Sequence, residues 1–597
     1  MLHSYFNPVV PRTAGVARLL VAAALLCGAA GIRTAHADNM VTDWNNEFLL
    51  ITQQTSGNLV AGPPDVAREI AQIGAAMSDA VNAANGSTIA SFAYTGGSMA
   101  NANANVAAAT AAYTALYNIF SDQVWTQSIA SLTGAGSNTS NVGLGTLVRN
   151  ELSSFLTSEL SSQGLTSPGT TCGSSSSALC NGYNLGIAAA TAVNNSATFS
   201  PVNSGAVASI INGLTPQTPV GSGTPGVYVP PAARPEMFPT WGGTTPTGVT
   251  SAQVSAALAT INGPPAINTQ AYATGLLQTE CQGASGGFAS LPANIQSACT
   301  AAGFVQTNAQ ATASANAALF WNDPGTTVQP PGHWLQIADT AMTSQNSSLL
   351  QSAQLTALVG ESMNDAGIAA WAQKYNTNLW RPVTAIRKCD TGGTAAGTVT
   401  WSSNFTTCDT AWTSLIATPP HPDYIAGHPA FSGAAATVLA DFFGTDNISF
   451  ASTSGYYCNG ATSSQFDSNN LLVSCTNGTG ASAVVYLVSD ASACATIVNG
   501  ANSNGSPLIC PITDTFTSFS DASSGVNGSE FSRVVGGIHT PFAVIDALTV
   551  GNAIGQTLAQ NAGLPEIVAE PSSLAICAMS LLALTRLRRR RQAAAAA

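Results

Sequence analysis

Charged side chains are scarce in this sequence of 597 residues: Asp, Glu, Lys and Arg make up only 7%, against roughly a quarter in an average globular domain. The formal net charge is -12 at pH 7, and there is no basic stripe of the kind that neutralises the phosphates of a nucleic acid. These features exclude nucleic acid as a partner. Ser, Thr, Asn and Gln are abundant instead, so uncharged polar groups can cover a soluble surface.

Long apolar runs are also few, and the two that stand out lie at the ends of the chain. Near the start, Arg12 and Arg18 precede the run Leu19 to Ala30, and Ala35–Ala37 offers a small-x-small cleavage pattern. The run is too short for a comfortable membrane span. We therefore predict that residues 1–37 are a secretory signal peptide, with a buried first helix as the alternative.

The second run, Leu574 to Leu584, is followed by five arginines between positions 586 and 591. A short apolar segment closed by a basic cluster is typical of a stop-transfer signal. With Glu570–Ser573 before it, the segment resembles the PEP-CTERM sorting tail, although Ala569 stands where that motif has its first Pro. We interpret residues 566–597 as a sorting or membrane tail, with an ordinary tail anchor as the alternative. The two ends imply that export and sorting machinery carries the protein through the inner membrane, to the cell envelope or, after tail processing, outside the cell.

No cysteine couple has the CxxC spacing of a zinc site, and no couple encloses a histidine, which disfavours zinc. Setting aside Cys27 in the signal and Cys577 in the tail leaves ten cysteines. An even count in an oxidising compartment favours disulfides. We predict five local bridges that staple loops, formed by the neighbouring couples Cys172/Cys180, Cys281/Cys299, Cys389/Cys408, Cys458/Cys475 and Cys494/Cys510.

Apolar residues at three- and four-residue spacing recur along the middle of the chain and predict helices. One example begins at Pro64, a suitable first helical residue, and continues through Val66 and Ile70. Loops rich in Gly, Ser, Thr and Pro separate these segments. We predict an all-α fold of two packed helical bundles with long disulfide-stapled loops over residues 38–565. A Cys-rich insert at 445–529 interrupts it.

Basic side chains are so few that their positions are informative. Lys374 and Lys388 are the only lysines, and most of the cations outside the two end segments lie between positions 333 and 539. Outside the signal there are also only four histidines, and they span the same interval. We expect the chemistry of the protein there. The four are His333, His421, His428 and His539.

Lys374 and Arg381 are seven residues apart, nearly two helical turns. The spacing predicts that both cations lie on one face of a helix, about 10 Å apart along its axis. Lysine as a point charge and arginine as a planar fork can hold a tetrahedral oxyanion from two sides. Solvated surface charge is the alternative.

Two further segments carry glycine, arginine and histidine next to predicted helices. Gly427 lets backbone N–H groups approach an anion at the positive end of a helix, and His428 is placed for general acid/base work. Arg533 supplies another oxyanion donor, and His539 can act as a nucleophile toward phosphorus or as a ligand to vanadium. The alternatives are a helix-capping His428 and a surface Arg533 beside a core histidine.

The three segments together resemble a known signature. Lys-x6-Arg-Pro, then Gly-His, then Ser-Arg-x5-His is similar to the pattern shared by type 2 phosphatidic acid phosphatases and vanadium-dependent haloperoxidases. The resemblance spans most of residues 38–562 apart from the insert, and implies a haloperoxidase-like helical fold. Flanking stretches resemble the haloperoxidase branch, namely Val41–Asn45, Ser78–Asn82, Phe320–Asp323, Pro330–Trp334 and His421–Tyr424.

The resemblance implies a vanadate cofactor, with phosphate as a competing occupant of the same pocket. Hydrogen peroxide and a halide would be the substrates and a small organic molecule the acceptor, while a homo-oligomer is left open. His333 and His421 match family positions, and we interpret both as structural. The implied cofactor site consists of Lys374, Arg381 and Arg533 on the vanadate oxygens, the amide of Gly427, His539 as axial vanadium ligand, and His428 as acid/base.

Two positions depart from the family pattern. Ala426 stands where many members have a serine, and losing its hydroxyl donor weakens oxyanion binding by about 1–3 kcal/mol. Ala543 stands where an aspartate four residues after the ligand histidine often orients the imidazole. Asp546, seven residues after His539, is expected to lie too far away for that contact. Both changes bear on turnover more than on the fold.

Three functions remain open at this stage. The favoured one is an exported vanadate-dependent haloperoxidase that oxidises halide with hydrogen peroxide. The second is a phosphatase with His539 as nucleophile and His428 protonating the leaving group, and the third is a non-catalytic envelope protein with a decayed site. Vanadate and phosphate share charge and shape, so the motif does not separate the first two.

Overall fold

The computed structural model describes residues 39–55, 62–121, 140–166, 168–173, 176–199, 225–230, 236–325, 327–388, 409–455 and 508–565, with short strand segments between 457 and 502. Helices dominate these residues, which confirms the predicted all-α class. The predicted signal peptide and the predicted tail lie outside the described residues, so both stay predictions.

A first group of helices precedes residue 200. It comprises α1 (Met40–Thr55), α2 (Pro63–Ala84), α3 (Ala104–Ser121), α4 (Ser140–Ser162), α5 (Pro168–Thr171) and α6 (Ala178–Asn195). Two prolines open α2, where a missing N–H costs nothing, and its residues Val66, Ile70 and Ile73 are buried as their spacing predicts. Helix α2 packs against α3 and α6, and α1 and α4 pack against α3.

Five helices connect this group to the second one, with short 3-10 turns at Trp241–Gly243 and Phe288–Ser290. Capping boxes start α7 at Thr250 and α10 at Thr307. In each, the threonine side chain accepts from the backbone N–H of the glutamine three residues later, and the glutamine side chain accepts from the backbone N–H of the threonine. The five are α7 (Ser251–Leu258), α8 (Gln270–Gln282), α9 (Ala293–Ala302), α10 (Asn308–Phe320) and α11 (Gln329–Ser344).

The second group comprises α12 (Leu349–Thr377), α13 (Pro382–Lys388), α14 (Gly427–Phe443), α15 (Phe519–Ser524), α16 (Ser529–Val535) and α17 (Pro541–Asn561). Its core is the packing of α14 against α17 and of both against α12. Among the described helices, α17 alone is long and apolar enough to cross a membrane, but half of that stretch is buried in the protein. The helix therefore serves as a core element here.

Helix α12 joins the two groups because it crosses α2 at very short range. Gly74 of α2 lies against the backbone of Ala357, and Gly360 of α12 lies against the backbone of Ala71. A Cβ atom at either glycine would collide with the opposite helix. The resulting contact between α2 and α12 is the most extensive one between helices in the described residues.

Small β-sheets occupy the predicted insert, which the sequence analysis describes only as Cys-rich. The strands pair as β1–β10, β2–β9–β6, β3–β4–β5 and β7–β8. Phe450 and Phe516 stand opposite each other in β1 and β10 and are buried against the helices. The strands are β1 (Phe450–Thr453), β2 (Tyr457–Cys458), β3 (Ser463–Phe466), β4 (Leu472–Asn477), β5 (Val484–Leu487), β6 (Cys494–Ala495), β7 (Ile497–Val498), β8 (Ala501–Asn502), β9 (Leu508–Ile509) and β10 (Thr513–Phe516).

Two of the five predicted disulfides are confirmed. Cys172, ahead of α6, bonds Cys180 within that helix, and Cys281 of α8 bonds Cys299 of α9. Both confirmed bridges join residues that are close in sequence, as the neighbouring couples predict.

The bridges predicted for Cys408 and Cys475 are not confirmed. Cys408 and its predicted partner Cys389 both lie outside the described residues, so this bridge stays a prediction. Cys475 lies in β4 and its predicted partner Cys458 in β2, and these strands belong to different sheets. The backbone pairing therefore does not make Cys458 and Cys475 neighbours, and their side chains lie outside the described part of the chain.

The fifth predicted bridge, Cys494 to Cys510, is supported at one end. Cys510 is disulfide-bonded, directly after strand β9. Cys494 lies in β6, which pairs with β9, but the side chain of Cys494 is outside the described residues. The partner of Cys510 therefore stays a prediction.

Candidate active site

Lys374 lies in the last turn of α12, and Arg381 lies beyond the end of that helix. Asn378 adopts the left-handed conformation with φ 47 and ends α12 after Thr377. Arg381 is followed by Pro382, which disfavours a helical conformation for the residue before it. The prediction that Lys374 and Arg381 share one helix face is therefore wrong.

The two cations nevertheless meet at one loop. The Lys374 ammonium donates to the carbonyl oxygens of Pro422 at 3.0 Å and Asp423 at 3.4 Å. The Arg381 Nε donates to the next carbonyl back, that of His421, at 2.6 Å. The loop from 421 to 426 thus brings the two cations together, although no single helix does.

Arg381 is the most connected side chain of the site. One terminal nitrogen donates to the Ile538 carbonyl at 2.7 Å and lies 3.0 Å from His539 Nε2, and the other lies 2.8 Å from His421 Nδ1. The guanidinium is 1% exposed. Burial lowers its pKa to about 10, opposed by the charge of Asp423, so the group stays cationic at neutral pH.

Gly427 and His428 open helix α14, as the sequence predicts. Gly427 lies against the Trp371 ring, where an added Cβ would be only 3.2 Å from a ring carbon. The helix is preceded by Ala426, which contributes no side-chain cap. His428 Nε2 is buried without a hydrogen-bond partner among the described residues. Burial, followed by the charge of Arg533, lowers the pKa of His428 well below its usual range.

Arg533 and His539 flank a tight turn. Arg533 of α16 donates to the Ser532 hydroxyl at 3.0 Å and to the Ala318 carbonyl at 3.1 Å. Gly537 then takes φ 75 and lies against the backbone of Gly283, which only glycine can do comfortably. The turn delivers His539 to the cluster. Burial lowers the pKa of His539 well below its usual range, and Arg381 and Lys374 lower it further.

Asp423 is the site residue that the sequence reasoning missed. Its Oδ1 is 2.6 Å from His539 Nδ1, and its Oδ2 accepts from the Thr540 hydroxyl at 2.8 Å. Burial raises the pKa of Asp423 to about 6, against the lowering effect of Arg381. The stretch 421–424 contains this carboxylate, but in the sequence it contributes only to the family resemblance.

The other two histidines lie in different surroundings. His333 Nδ1 contacts Asp323 Oδ2 at 3.1 Å and its Nε2 contacts the Ser452 hydroxyl at 3.0 Å, which suits the structural role predicted for it. His421 was also interpreted as structural, but it lies inside the cluster, bonded to Arg381 and 5.2 Å from the Trp371 ring. It therefore adds a third imidazole to the site.

The two departures from the family pattern have different outcomes. Ala543 is fully buried and brings no carboxylate. Asp546 accepts from the Tyr424 hydroxyl at 2.6 Å, in agreement with the expectation that it does not orient His539. The carboxylate that contacts His539 belongs to Asp423, which comes from a different loop.

The charge balance of the cluster fits a tetrahedral oxyanion. Lys374, Arg381 and Arg533 are each at most 1% exposed. Within the described residues, Asp423 is the carboxylate whose charge acts on Lys374 and Arg381. Buried charge is costly unless it is compensated, so an anion here would offset a surplus of positive charge. The unpartnered Nε2 of His428 gives the same anion or a bound reactant a further contact.

Comparison with known proteins identifies the fold and one of its domains. Residues 354–563 match the model of the VCPO second helical-bundle domain. The chain carries the fold and this domain of the vanadium haloperoxidases. The vanadium chloroperoxidase of Curvularia inaequalis is 32% identical over 91 residues, which cover 15% of this chain and only 14% of that protein.

Solved structures of haloperoxidases share the fold over nearly the whole chain. The first bacterial vanadium-dependent iodoperoxidase matches with a TM-score of 0.53 and 18% identity, covering 90% of this chain and 100% of its own. A holo-type bacterial vanadium-dependent chloroperoxidase matches with a TM-score of 0.50 and 15% identity, covering 86% and 96%. At these identities the likeness concerns the fold.

Proposed function

We propose that this protein is a vanadate-dependent haloperoxidase that oxidises halide with hydrogen peroxide. The observation that carries the proposal is the buried cluster of Lys374, Arg381 and Arg533 around His539. Vanadate, when bound, supplies a Lewis acid that polarises peroxide without changing its own oxidation state. The relatives named as vanadium chloroperoxidase and iodoperoxidase support this choice of anion.

The residues of the site bind the anion and transfer protons. The three cations hold the anion by charge-assisted hydrogen bonds, and the amides at the start of α14 add the positive end of a helix. His539 presents a neutral imidazole to the anion because its pKa is lowered. His428 accepts or returns a proton at Nε2, the buried nitrogen that has no partner in the described part of the chain.

The test is a pair of assays on the purified mature protein. We expect halogenation of a cyclic dione with peroxide and bromide only after orthovanadate is added, and none in His539→Ala. Lys374→Met should lower the rate at least tenfold by weakening the hold on the anion. Lys388→Met, a change at the only other lysine of the chain, should leave it unchanged. Absence of halogenation in the wild type at saturating vanadate would falsify the proposal.

A phosphatase is the second candidate, and one contact favours it. A histidine nucleophile needs a partner that orients it, and Asp423 supplies that partner at 2.6 Å. A chromogenic phosphate ester run in parallel separates the two functions. Hydrolysis without vanadate that is lost in His539→Ala identifies a phosphatase, and silence in both assays identifies a site without activity.

We also propose that the protein is exported and processed at both ends. The basis is the apolar run Leu19 to Ala30 after two arginines and the run Leu574 to Leu584 before five more. Peptide mass mapping of the protein recovered from the cell envelope and the medium is the test. We expect an N-terminus at Asp38 and, in the medium, loss of the segment after 565. An intact residue 1 in both fractions would contradict the proposal.

A further inference from the structure

The contacts of His539 indicate which ring nitrogen carries the hydrogen. Nδ1 is 2.6 Å from a carboxylate oxygen of Asp423, and both side chains are buried. A carboxylate oxygen accepts, so Nδ1 carries the hydrogen of the neutral ring and donates it to Asp423. One terminal nitrogen of Arg381 lies 3.0 Å from Nε2 and 3.4 Å from Nδ1. Because it is close to both ring nitrogens, it lies over the ring face and does not occupy the lone pair of Nε2.

Asp423 is itself fixed by hydrogen bonds of its side chain and of its backbone. Its second oxygen accepts from Thr540 at 2.8 Å, and its backbone N–H donates to the Leu379 carbonyl at 2.9 Å. Its carbonyl oxygen accepts from Lys374 at 3.4 Å. The side chain is fully buried. A carboxylate fixed in this way imposes its own geometry on the imidazole that it contacts.

The carboxylate reaches His539 from the loop before α14, whereas Ala543, one helical turn after His539, offers only a methyl group. Asp423 and His539 are 116 residues apart in sequence. We propose that Asp423 is the positioning residue that holds His539 in the Nδ1–H tautomer and aims the lone pair of Nε2 at the anion pocket. Its importance for turnover rests on the proposed function, but its effect on the tautomer does not.

Asp423→Asn keeps the size of the side chain but changes its hydrogen bonding, so it separates a role in positioning His539 from a role in packing. If Thr540 keeps donating to the oxygen on its side, the new amide nitrogen of Asp423→Asn faces His539 Nδ1 and donates to it. The ring must then carry its hydrogen on Nε2, which removes the lone pair from the pocket. A buried aspartate-to-asparagine change can abolish function through the wrong tautomer while leaving the geometry intact.

The experiment uses the mature chain labelled with 15N-histidine, which contains only four histidines. The His539 signals are assigned by their loss in His539→Gln. In the wild type without vanadate we expect the Nδ1–H tautomer at His539. Asp423→Asn should shift it to Nε2–H, and both Asp423→Asn and Asp423→Ala should bind orthovanadate 10–100-fold more weakly. Asp546→Asn, at a partly buried carboxylate that also accepts from a hydroxyl, is the matched control and should change neither quantity.

The proposal is overturned if Asp423→Asn keeps the Nδ1–H tautomer and binds orthovanadate within twofold of the wild type. Thermal melting of each variant shows whether it is folded. If Asp423→Ala does not fold, Asp423→Asn alone decides the proposal. Tautomer and anion affinity are measured without halide. A wild type that never halogenates, but whose anion affinity falls in Asp423→Asn, therefore contradicts the proposed function and supports the role of Asp423.

Discussion

At the scale of single residues, Ala426 offers the clearest change to test. It is fully buried directly before Gly427, and it provides no side-chain cap for α14. We predict that Ala426→Ser tightens orthovanadate and phosphate binding by about 1 kcal/mol or more, a factor of roughly five or more, because a hydroxyl adds a donor at the oxyanion site. Isothermal titration of both anions measures the effect.

The same hydroxyl can also cap the helix without touching the anion. A serine at this position stabilises a helix start by about 1 kcal/mol, so the melting temperature is followed with and without anion. A rise in melting temperature with unchanged anion affinity would show that the hydroxyl acts only as a cap, and the prediction would fail.

A second residue, Glu280, carries a prediction about pH. Neither carboxylate oxygen has a hydrogen-bond partner among the described residues, and burial, together with the charge of Asp409, raises its pKa from 4.5 to about 8. Between pH 4.5 and about pH 8, Glu280 keeps a proton in the folded protein that it releases in the unfolded chain. The free energy of unfolding therefore falls as the pH rises through this range. Glu280→Gln removes this effect and should stabilise the protein by about 4 kcal/mol at pH 8 and hardly at all at pH 4.5.

Urea unfolding at several pH values checks this prediction. Gln278→Ala, a change at an uncharged and partly exposed residue of the same helix α8, is the control and should show no comparable trend. A stabilisation by Glu280→Gln that is equal at both ends of the pH range would contradict the assigned cause.

The site residues were predictable to different degrees. Lys374, Arg381, Arg533 and His539 stand out because cations and histidines are rare here, so each one is conspicuous. Asp423 does not stand out in the same way. Its role depends on a partner 116 residues away, and the helical spacing after His539 directs attention to Ala543 and Asp546 instead.

At the scale of elements, the crossing of α2 and α12 depends on two glycines. A Cβ at Gly360 would collide with the backbone of Ala71, and backbone cannot move aside as a side-chain tip can. We predict that Gly360→Ala destabilises the protein by about 2–3 kcal/mol or more, although alanine favours helices. Gly243→Ala is the control because its Cβ would meet nothing within 4 Å.

Chemical denaturation of the two variants compares them directly. A Gly360→Ala protein as stable as the wild type would mean that the helices separate at no cost, which would contradict the close crossing. Since Gly74 lies at the same crossing, Gly74→Ala should behave like Gly360→Ala.

The end of α12 shows what the sequence could not settle at this scale. Seven-residue spacing placed Arg381 on the helix, but Asn378 and Pro382 stop it first. Asparagine in the left-handed conformation and a proline soon after are known stop signals. They were available in the sequence, whereas the convergence of Lys374 and Arg381 on successive carbonyls of the 421–423 loop depends on tertiary structure.

At the scale of the whole molecule, the helical class was predictable, but the sheets of the insert were not. Strands such as β2 and β6 are only two residues long. Such short segments carry no periodicity that a sequence pattern can reveal. Their pairing follows from contacts between segments that are far apart in sequence, as in β1 with β10.

Pairing cysteines by their nearness in sequence succeeded where both members lie in or beside helices, as at Cys172–Cys180 and Cys281–Cys299. The same rule is not confirmed for Cys408 or for Cys475. In the insert, nearness in sequence is a weaker guide, because β4, which carries Cys475, pairs with β3 and β5 and not with the strand of Cys458. Which cysteines meet there depends on how the sheets pack.

The two confirmed disulfides should differ in what they do for the molecule. Each closes a short loop, with a sequence separation of 18 for Cys281–Cys299 and 8 for Cys172–Cys180. Replacing either pair by alanine should therefore cost about 2–3 kcal/mol. Only the Cys281–Cys299 bridge lies beside the site, because Thr279 of α8 donates to the His539 carbonyl at 3.1 Å.

We therefore predict that the Cys281→Ala/Cys299→Ala protein loses stability and also binds orthovanadate several-fold more weakly, since the support of the His539 turn loosens. The Cys172→Ala/Cys180→Ala protein should lose stability alone. Urea midpoints and anion titration on both variants measure the two effects. Wild-type anion affinity in both variants would show that α8 does not hold the turn. Weakened anion binding in both variants would show that any loss of stability reaches the site.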